Sequence, residues 1–204
     1  MPEANSWRYQ EQAGGKMRAV TEIGSHYIDL VRFLTGLEMV EVSADFDNFT
    51  PKRYEKDGIM HEDDRDGAKE IFVGSEDAAI LSFRLSDGAI GSVVLSEVSH
   101  GRSNFINIEI TGTKQSVWWN SEDCNRLNTS RKGRGIYSKL NAFGGGFEDT
   151  VGRLFADVYD SIQSGKREHS YPDFTDGYVN LAICEAIYTS NQNNGAWTKV
   201  CVEA

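Results

Sequence analysis

Three polar residues at intervals of four and three positions, Glu22, His26 and Asp29, are the strongest chemical signal in the sequence. Residues three and four apart are neighbours on a helix surface, so a helix that begins near Glu22 would place an acid and an imidazole one turn apart. Imidazole suits proton transfer because its unperturbed pKa is about 6.5. The spacing also permits ligation of a divalent metal, although no second histidine lies nearby in the sequence.

An aliphatic and aromatic run follows these polar residues and predicts how their helix is held. Leu30, Val31, Phe33 and Leu34 can anchor the helix in a core. Gly36 is well placed to end the helix, because glycine adopts the left-handed conformation of a helix C-terminus without strain. We therefore expect a buried helix that presents its polar face to a site.

Composition limits the classes of partner. The 204 residues are 39% hydrophobic and 25% charged, as in a soluble globular protein, and we expect a single domain. A net charge of −10 repels phosphate backbones and anionic lipid, so we expect neither nucleic-acid nor membrane partners. No apolar run approaches a membrane span or a signal peptide, and Cys124, Cys184 and Cys201 lack C-x-x-C spacing. These features predict a cytoplasmic protein with reduced thiols.

The remaining chain predicts strands followed by helices. Apolar alternation and short turns indicate strands at 39–46, 70–73, 78–85, 89–98, 105–111, 116–119 and 196–202. Ser86-Asp87-Gly88 is a hairpin turn, so these strands should form an antiparallel meander. The charged segment 52–69 and the partly basic segment 120–146 are predicted to be loops.

Two amphipathic helices close the pattern. One covers Phe147 to Ile162 and should end at Gly165, and the other follows an N-cap at Asp173 or Thr175. Segregated strands and helices indicate an α+β fold with a mostly antiparallel, open-faced sheet and helices on one face. Several strands are apolar on both sides, so we expect the other face to be used for oligomerisation.

No phosphate-binding loop is visible in the sequence. It contains neither G-x-G-x-x-G nor G-x-x-x-x-G-K-[ST]. The glycine triplet 144–146 follows a predicted loop instead of a strand. We therefore expect no cofactor-binding residues in this chain. We also expect no resident metal, because the other three histidines are scattered far from His26 in the sequence.

The stretch TEIGSHYIDLVRFLTG, residues 21–36, resembles the signature helix of a known family. It is similar to the C-terminal domain of the glucose–fructose oxidoreductase, inositol dehydrogenase and MocA (Gfo/Idh/MocA) oxidoreductases, whose pattern is a glycine pair, D-x-G-x-H-x-x-D and an aliphatic run. Trp7-Arg8 upstream and the segment 95–104 downstream extend the resemblance. So do residues 110–120, 146–150, 174–177 and 185–187, and Trp197.

The resemblance implies roles for individual residues. His26 falls on the family's catalytic histidine, and Glu22 occupies the position of the family's aspartate. His100, Arg102 and Asn104 lie in a strand-end turn that resembles part of a substrate pocket. The cofactor, NAD or NADP, would be bound by a Rossmann domain that precedes this one, so the 204 residues would be the C-terminal part of a longer enzyme.

Three hypotheses for the function follow. The first is the substrate-binding domain of an NAD(P)-dependent oxidoreductase for a sugar, polyol or sugar derivative, which forms a homodimer or homotetramer through the sheet. The second is a non-catalytic sensor or scaffold of the same fold. The third is a metal-dependent sugar isomerase or hydrolase with Glu22, His26 and Asp29 as ligands.

Overall fold

The computed structural model describes residues 3–4, 7–102, 104–141, 147–165 and 170–202. Ser103 and the glycine triplet 144–146, which belong to the motifs above, lie outside the described residues. The chain divides into two compact units, residues 1–99 with 172–204 and residues 100–171, and each is described by itself.

The secondary structure consists of short strands and four α-helices within the described ranges. The strands are β1 (Glu3–Ala4), β2 (Met39–Asp47), β3 (Lys52–Lys56), β4 (Ile59–His61), β5 (Lys69–Phe72), β6 (Ala78–Leu85), β7 (Ile90–Ser96), β8 (Asn107–Thr111), β9 (Gln115–Asn120), β10 (Arg126–Arg131), β11 (Ile136–Leu140) and β12 (Thr198–Lys199). The helices are α1 (Glu11–Gly14), α2 (Ser25–Thr35), α3 (Phe147–Ser164) and α4 (Phe174–Gln192). A π-helical turn, Val20–Gly24, leads directly into α2.

The core of the first unit is built on the sheet β12-β2-β6-β7. Alternate residues of β2 and β6 are buried, as expected for strands with one covered face, and Val42 lies opposite Phe83. Gly91 of β7 lies opposite the same phenylalanine on β6. A side chain at Gly91 would be 2.2 Å from the Phe83 ring, so only glycine lets the ring lie flat across the neighbouring strand.

Helix α4 covers β2 and is fixed at both ends. Asp173 and Asp176 form a capping box, in which each carboxylate accepts an N–H at the helix start, so the prediction of a cap at Asp173 is confirmed. Near the other end, the hydroxyl of Ser190 accepts the N–H of Ala44 on β2 (2.9 Å) and donates to the carbonyl of Ala196 (2.7 Å). The helix is thereby pinned to the central strand.

The predicted signature helix is present, but its anchoring differs from the prediction. Gly36 ends α2 in the left-handed conformation (φ 67°), as predicted. The buried residues of α2 are Ile28 and Val31, whereas Phe33 is 69% and Leu34 48% exposed. The expectation that Phe33 and Leu34 anchor the helix was wrong, because the buried stripe is narrow and these two residues lie on its flank.

Two segments predicted to be loops contain strands. Within 52–69, β3 and β4 belong to a second sheet, β1-β4-β3-β5, and within 120–146, β10 and β11 belong to the sheet β11-β10-β9-β8 of the second unit. Charged strands such as β3 are supported by ion pairs between neighbouring strands, for example Lys52 Nζ to Glu70 Oε1 at 3.0 Å. Composition alone therefore misassigned them as loops.

The fold-class prediction is confirmed. Every strand pairing among the described residues is antiparallel, and strands and helices are segregated as in an α+β fold. The predicted meander is divided into three four-stranded sheets. The assignment of the whole chain to one domain stays a prediction. No helix among the described ranges has both the length and the apolar character that crossing a bilayer requires.

The three cysteines are expected to differ in reactivity. Cys124 and Cys201 are exposed, whereas Cys184 of α4 is buried, and burial chiefly raises the pKa of its thiol to about 11. A thiolate is the reactive species, so Cys184 should stay unlabelled at pH 8. Titration with a chromogenic disulfide should modify two thiols in the native chain and three in denaturant. Rapid modification of a third native thiol would contradict the packing of α4.

Candidate functional site

His26 lies in the first turn of α2 and its side chain is exposed. Within the described part of the chain, no side chain or backbone group hydrogen-bonds to the imidazole or pairs with it. Its two ring nitrogens are therefore accessible to a ligand. The exposure excludes a buried structural role for this histidine within the first unit.

Glu22 lies in the π turn that precedes α2, four residues before His26. Its Oε2 atom is 2.9 Å from Nε of Arg8, and the two side chains are 32% and 52% exposed. A π turn is rare and is often found at functional sites. The structure thus places the predicted acid and imidazole on one continuous helix, with Arg8 as the partner of the acid.

Arg8 is held by its neighbours in the N-terminal segment. Gly14 packs on the backbone of Arg8 so closely that a Cβ atom there would be 2.9 Å from the Arg8 carbonyl oxygen. The ring of Tyr9 lies 4.8 Å from the guanidinium of Arg18 and 5.5 Å from that of Arg53. These cation–π contacts fix the segment that brings Arg8 to Glu22.

The site helix is the continuous helix formed by the π turn Val20–Gly24 and α2, which carries Glu22 and His26. A buried carboxylate binds the N–H groups at its start. Glu76, in the loop before β6, is 4% exposed, and its Oε1 atom accepts the N–H groups of Arg18 and Val20 at 2.9 Å each. Its backbone carbonyl accepts the N–H of Ala19 at 3.4 Å. Burial raises the pKa of the Glu76 carboxyl, while these donors and the Arg18 guanidinium oppose that shift.

Glu76 belongs to a buried polar group that sequence reasoning missed. Ser75, Glu76 and Asp77 are all at most 7% exposed. Three consecutive polar residues before a strand are typical of a turn, and their burial depends on contacts with distant segments. The only sequence signal was the placement of two acids directly before an apolar strand.

Two further contacts fix the position of the site helix relative to the sheet and to α4. Gly24 lies against Leu95 of β7, where an added Cβ atom would be 2.8 Å from the leucine Cδ1. From α4, the side-chain amide of Asn180 donates to the carbonyl of Ser25 at 3.0 Å. Both contacts fall within two residues of His26 and limit its movement along the helix axis.

Asp29, the third polar residue of the signature helix, forms no ion pair with Arg8, Arg18 or Arg32. Arg8 binds Glu22, and Arg18 lies 2.9 Å from Glu97 and 4.0 Å from Asp77. Arg32 binds Glu38 at 2.9 Å. Each of the three arginines thus pairs with a carboxylate other than that of Asp29.

The predicted substrate-binding residues lie together in one turn of the second unit. Arg102 forms an ion pair with Glu122, and its guanidinium lies 4.4 Å from the Phe105 ring. Asn104 adopts a left-handed conformation (φ 55°), which suits asparagine, and its carbonyl accepts the Ser121 hydroxyl. His100 is exposed at the start of this turn. Their approach to a substrate near His26 stays a prediction.

A metal centre is not supported by the described residues. Among them, no three histidine, cysteine, aspartate or glutamate side chains lie close enough to hold an ion. The hypothesis that Glu22, His26 and Asp29 are metal ligands therefore has no structural support.

Comparisons with known proteins identify the family to which this fold belongs. The family model of the GFO/IDH/MocA C-terminal domain matches residues 1–118, more than half of the chain. This chain belongs to that family. Levoglucosan dehydrogenase from Pseudarthrobacter phenanthrenivorans is 28% identical over 211 residues, which cover 91% of this chain and 52% of the relative.

Solved structures with the same fold support the assignment. An oxidoreductase domain protein from Kribbella flavida superposes with a TM-score of 0.85 at 25% identity, covering 97% of this chain and 55% of that one. Levoglucosan dehydrogenase in complex with NADH and levoglucosan gives a TM-score of 0.82 at 26% identity, with coverages of 98% and 55%. This chain thus spans about half the length of the relatives it matches.

The described residues show no parallel strand–turn–helix unit of the kind that carries a dinucleotide fingerprint. The sequence has no G-x-G-x-x-G, and the described strands pair only in antiparallel fashion, whereas that fingerprint connects a strand to a helix in a parallel sheet. The expectation that a preceding domain holds the nicotinamide cofactor stays a prediction.

Proposed function

We propose that this chain is the substrate-binding domain of an NAD(P)-dependent oxidoreductase that acts on a sugar, a polyol or a sugar derivative. The observation that carries the proposal is the exposed His26 imidazole, four residues after Glu22 on the family's signature helix. The relative crystallised with NADH and levoglucosan supports both the cofactor class and the substrate class. The proposal covers NAD and NADP alike, and a cytoplasmic location stays a prediction.

The role proposed for this chain is proton transfer and hydroxyl binding. Oxidation of a secondary alcohol removes a hydride from carbon and a proton from oxygen, and the nicotinamide supplies the hydride acceptor. His26 would accept the hydroxyl proton, because its nitrogens are accessible and imidazole is an effective general base. Glu22, held by Arg8, would accept a hydrogen bond from a neighbouring hydroxyl and fix the orientation of the sugar. His100, Arg102 and Asn104 would bind further hydroxyls.

A cofactor titration and a substrate screen test this proposal. Calorimetry of the full-length protein with NAD(H) and NADP(H) should show binding, whereas the 204-residue chain alone should show none. The full-length protein should then reduce one of these cofactors with at least one member of a panel that includes levoglucosan, inositols and common hexoses. If the protein binds a sugar but does not oxidise it with either cofactor, the result would favour a non-catalytic sensor or scaffold over the enzymatic proposal.

Replacing Arg8 tests the role of the Arg8–Glu22 pair. Arg8→Ala in the full-length enzyme is expected to lower kcat/KM about tenfold, because a carboxylate displaced by an ångström orients substrate poorly. The melting temperature should change little, since half-exposed ion pairs contribute little to stability. Arg65→Ala removes a comparable exposed pair with Asp63 and is the matched control. Equal kinetic effects of the two changes would contradict the proposed role.

We also propose assembly into a homodimer or homotetramer through the open face of the β2-β6-β7 sheet. Ile80 and Val94, which lie opposite each other on β6 and β7, are 59% and 73% exposed on this face. Val94→Glu should therefore lower the molar mass measured by light scattering. Ile59→Glu, at a 41% exposed position on β4, is the control and should leave the mass unchanged. Unchanged mass in both variants would exclude this face.

A further inference from the structure

We infer that Glu76 is a positioning residue for the proposed active site, because its carboxylate fixes the start of the helix that carries Glu22 and His26. The inference rests on the proposed function for its kinetic part. Its structural part stands on hydrogen bonds within the first unit.

The site helix has no cap of its own. Neither Ala19, before the π turn, nor Gly24, before α2, provides a side-chain cap. The first N–H groups of a helix need acceptors, and an unpaired buried N–H is costly. Arg18, Ala19 and Val20 all donate to Glu76, which is more than fifty residues away in sequence. A long-range acceptor replaces the local cap.

This arrangement ties the site helix to the sheet. Glu76 lies two residues before the start of β6, so the helix start is held at a fixed point next to the sheet. Arg18 reinforces the contact, since its guanidinium is 2.9 Å from Glu97 just after β7. Val20 is fully buried and Glu22 follows two residues later in the same π turn. Movement at the helix start would therefore move Glu22 first and His26 one turn later.

The charge of Glu76 is less important than its position. The Oε1 atom of Glu76 accepts the hydrogen bonds from both Arg18 N–H and Val20 N–H. The side-chain carbonyl oxygen of a glutamine in the same position could accept the same two N–H groups. Glu76→Gln should therefore preserve the positioning, whereas Glu76→Ala removes the acceptor and leaves two buried donors unpaired. This difference separates an acceptor from a charge effect.

Hydrogen exchange tests the structural part in the full-length protein. In Glu76→Ala the amides of Arg18 and Val20 should exchange at least tenfold faster than in the native protein, while Glu76→Gln keeps their protection within about threefold. Glu70→Ala, at an exposed glutamate of β5, is the control and should change neither amide. Unchanged protection of both amides in Glu76→Ala would overturn the inference, whatever the enzyme's activity.

A double-mutant cycle with His26 tests the kinetic part. Glu76→Ala should lower kcat at least tenfold with KM changed less than threefold, and Glu76→Gln should retain at least a third of kcat. In a His26→Ala background, Glu76→Ala should lower kcat by a smaller factor than in the native background, because the part of its effect that acts through His26 is lost. An equal loss in both backgrounds, or equal losses in Gln and Ala, would overturn the inference. Full activity of His26→Ala alone would refute the proposed function, and the amide exchange would still decide the role of Glu76.

Discussion

Replacing His26 by alanine in the full-length enzyme is expected to lower kcat by about 10²–10⁴-fold, the usual contribution of a positioned general base. The imidazole is exposed, and within the described ranges it has no bonding partner that would compete with a substrate hydroxyl. Steady-state kinetics with the sugar found in the substrate screen measures the effect.

The matched control for this prediction is His61→Ala. His61 lies on β4 in the second sheet of the first unit and has no assigned role in the site. Its replacement should leave kcat within twofold. Added imidazole should restore part of the activity of His26→Ala, because a small base can occupy the space that the side chain leaves. Full activity of His26→Ala on every tested sugar would argue against proton transfer by this residue.

The sequence predicted correctly those features whose contacts lie within a few residues along the chain. The left-handed Gly36 at the end of α2, the Asp173 capping box and the turn at Gly88 (φ 91°) each depend on neighbours within a few residues. The helix that carries Glu22 and His26 was predicted for the same reason. Its start was not, because the π turn from Val20 to Gly24 has no pattern in the sequence that separates it from an α-helix.

Features that depend on distant partners were missed. The acceptor for the helix start is Glu76, and the partner of Glu22 is Arg8, both chosen by packing instead of helical spacing. The strands β3 and β10 have charged or polar sequences and are defined by pairing with neighbours. Periodicity describes which face of an element is buried, but it does not identify which distant group satisfies a buried donor.

The largest expected loss of stability follows from Asp77→Ala. Asp77 is completely buried, and its carboxylate accepts the N–H of Phe49 and both the N–H and the hydroxyl of Thr50 at 2.6–2.9 Å. It also lies 4.0 Å from the buried guanidinium of Arg18. Arg18 keeps Glu97 as its partner at 2.9 Å, but the N–H groups of Phe49 and Thr50 and the Thr50 hydroxyl lose their acceptor. A buried donor left unpaired costs about 1–3 kcal/mol, so the three together should cost about 3–5 kcal/mol. We expect a loss of that size in the free energy of unfolding.

Asp77→Asn distinguishes the hydrogen bonds from the charge. One carboxylate oxygen accepts from Phe49 and the other from Thr50, so an amide must place its NH₂ group against one of these donors. The loss should therefore be intermediate between the native protein and Asp77→Ala.

Urea unfolding followed by hydrogen exchange of the β6 amides measures the stability of this unit. Asp64→Ala, at an exposed position in the loop between β4 and β5, is the control and should change stability by less than about 0.5 kcal/mol. A comparably small effect of Asp77→Ala would mean that these buried hydrogen bonds do not hold the loop before β6, and the anchoring of the site helix by that loop would lose its physical basis.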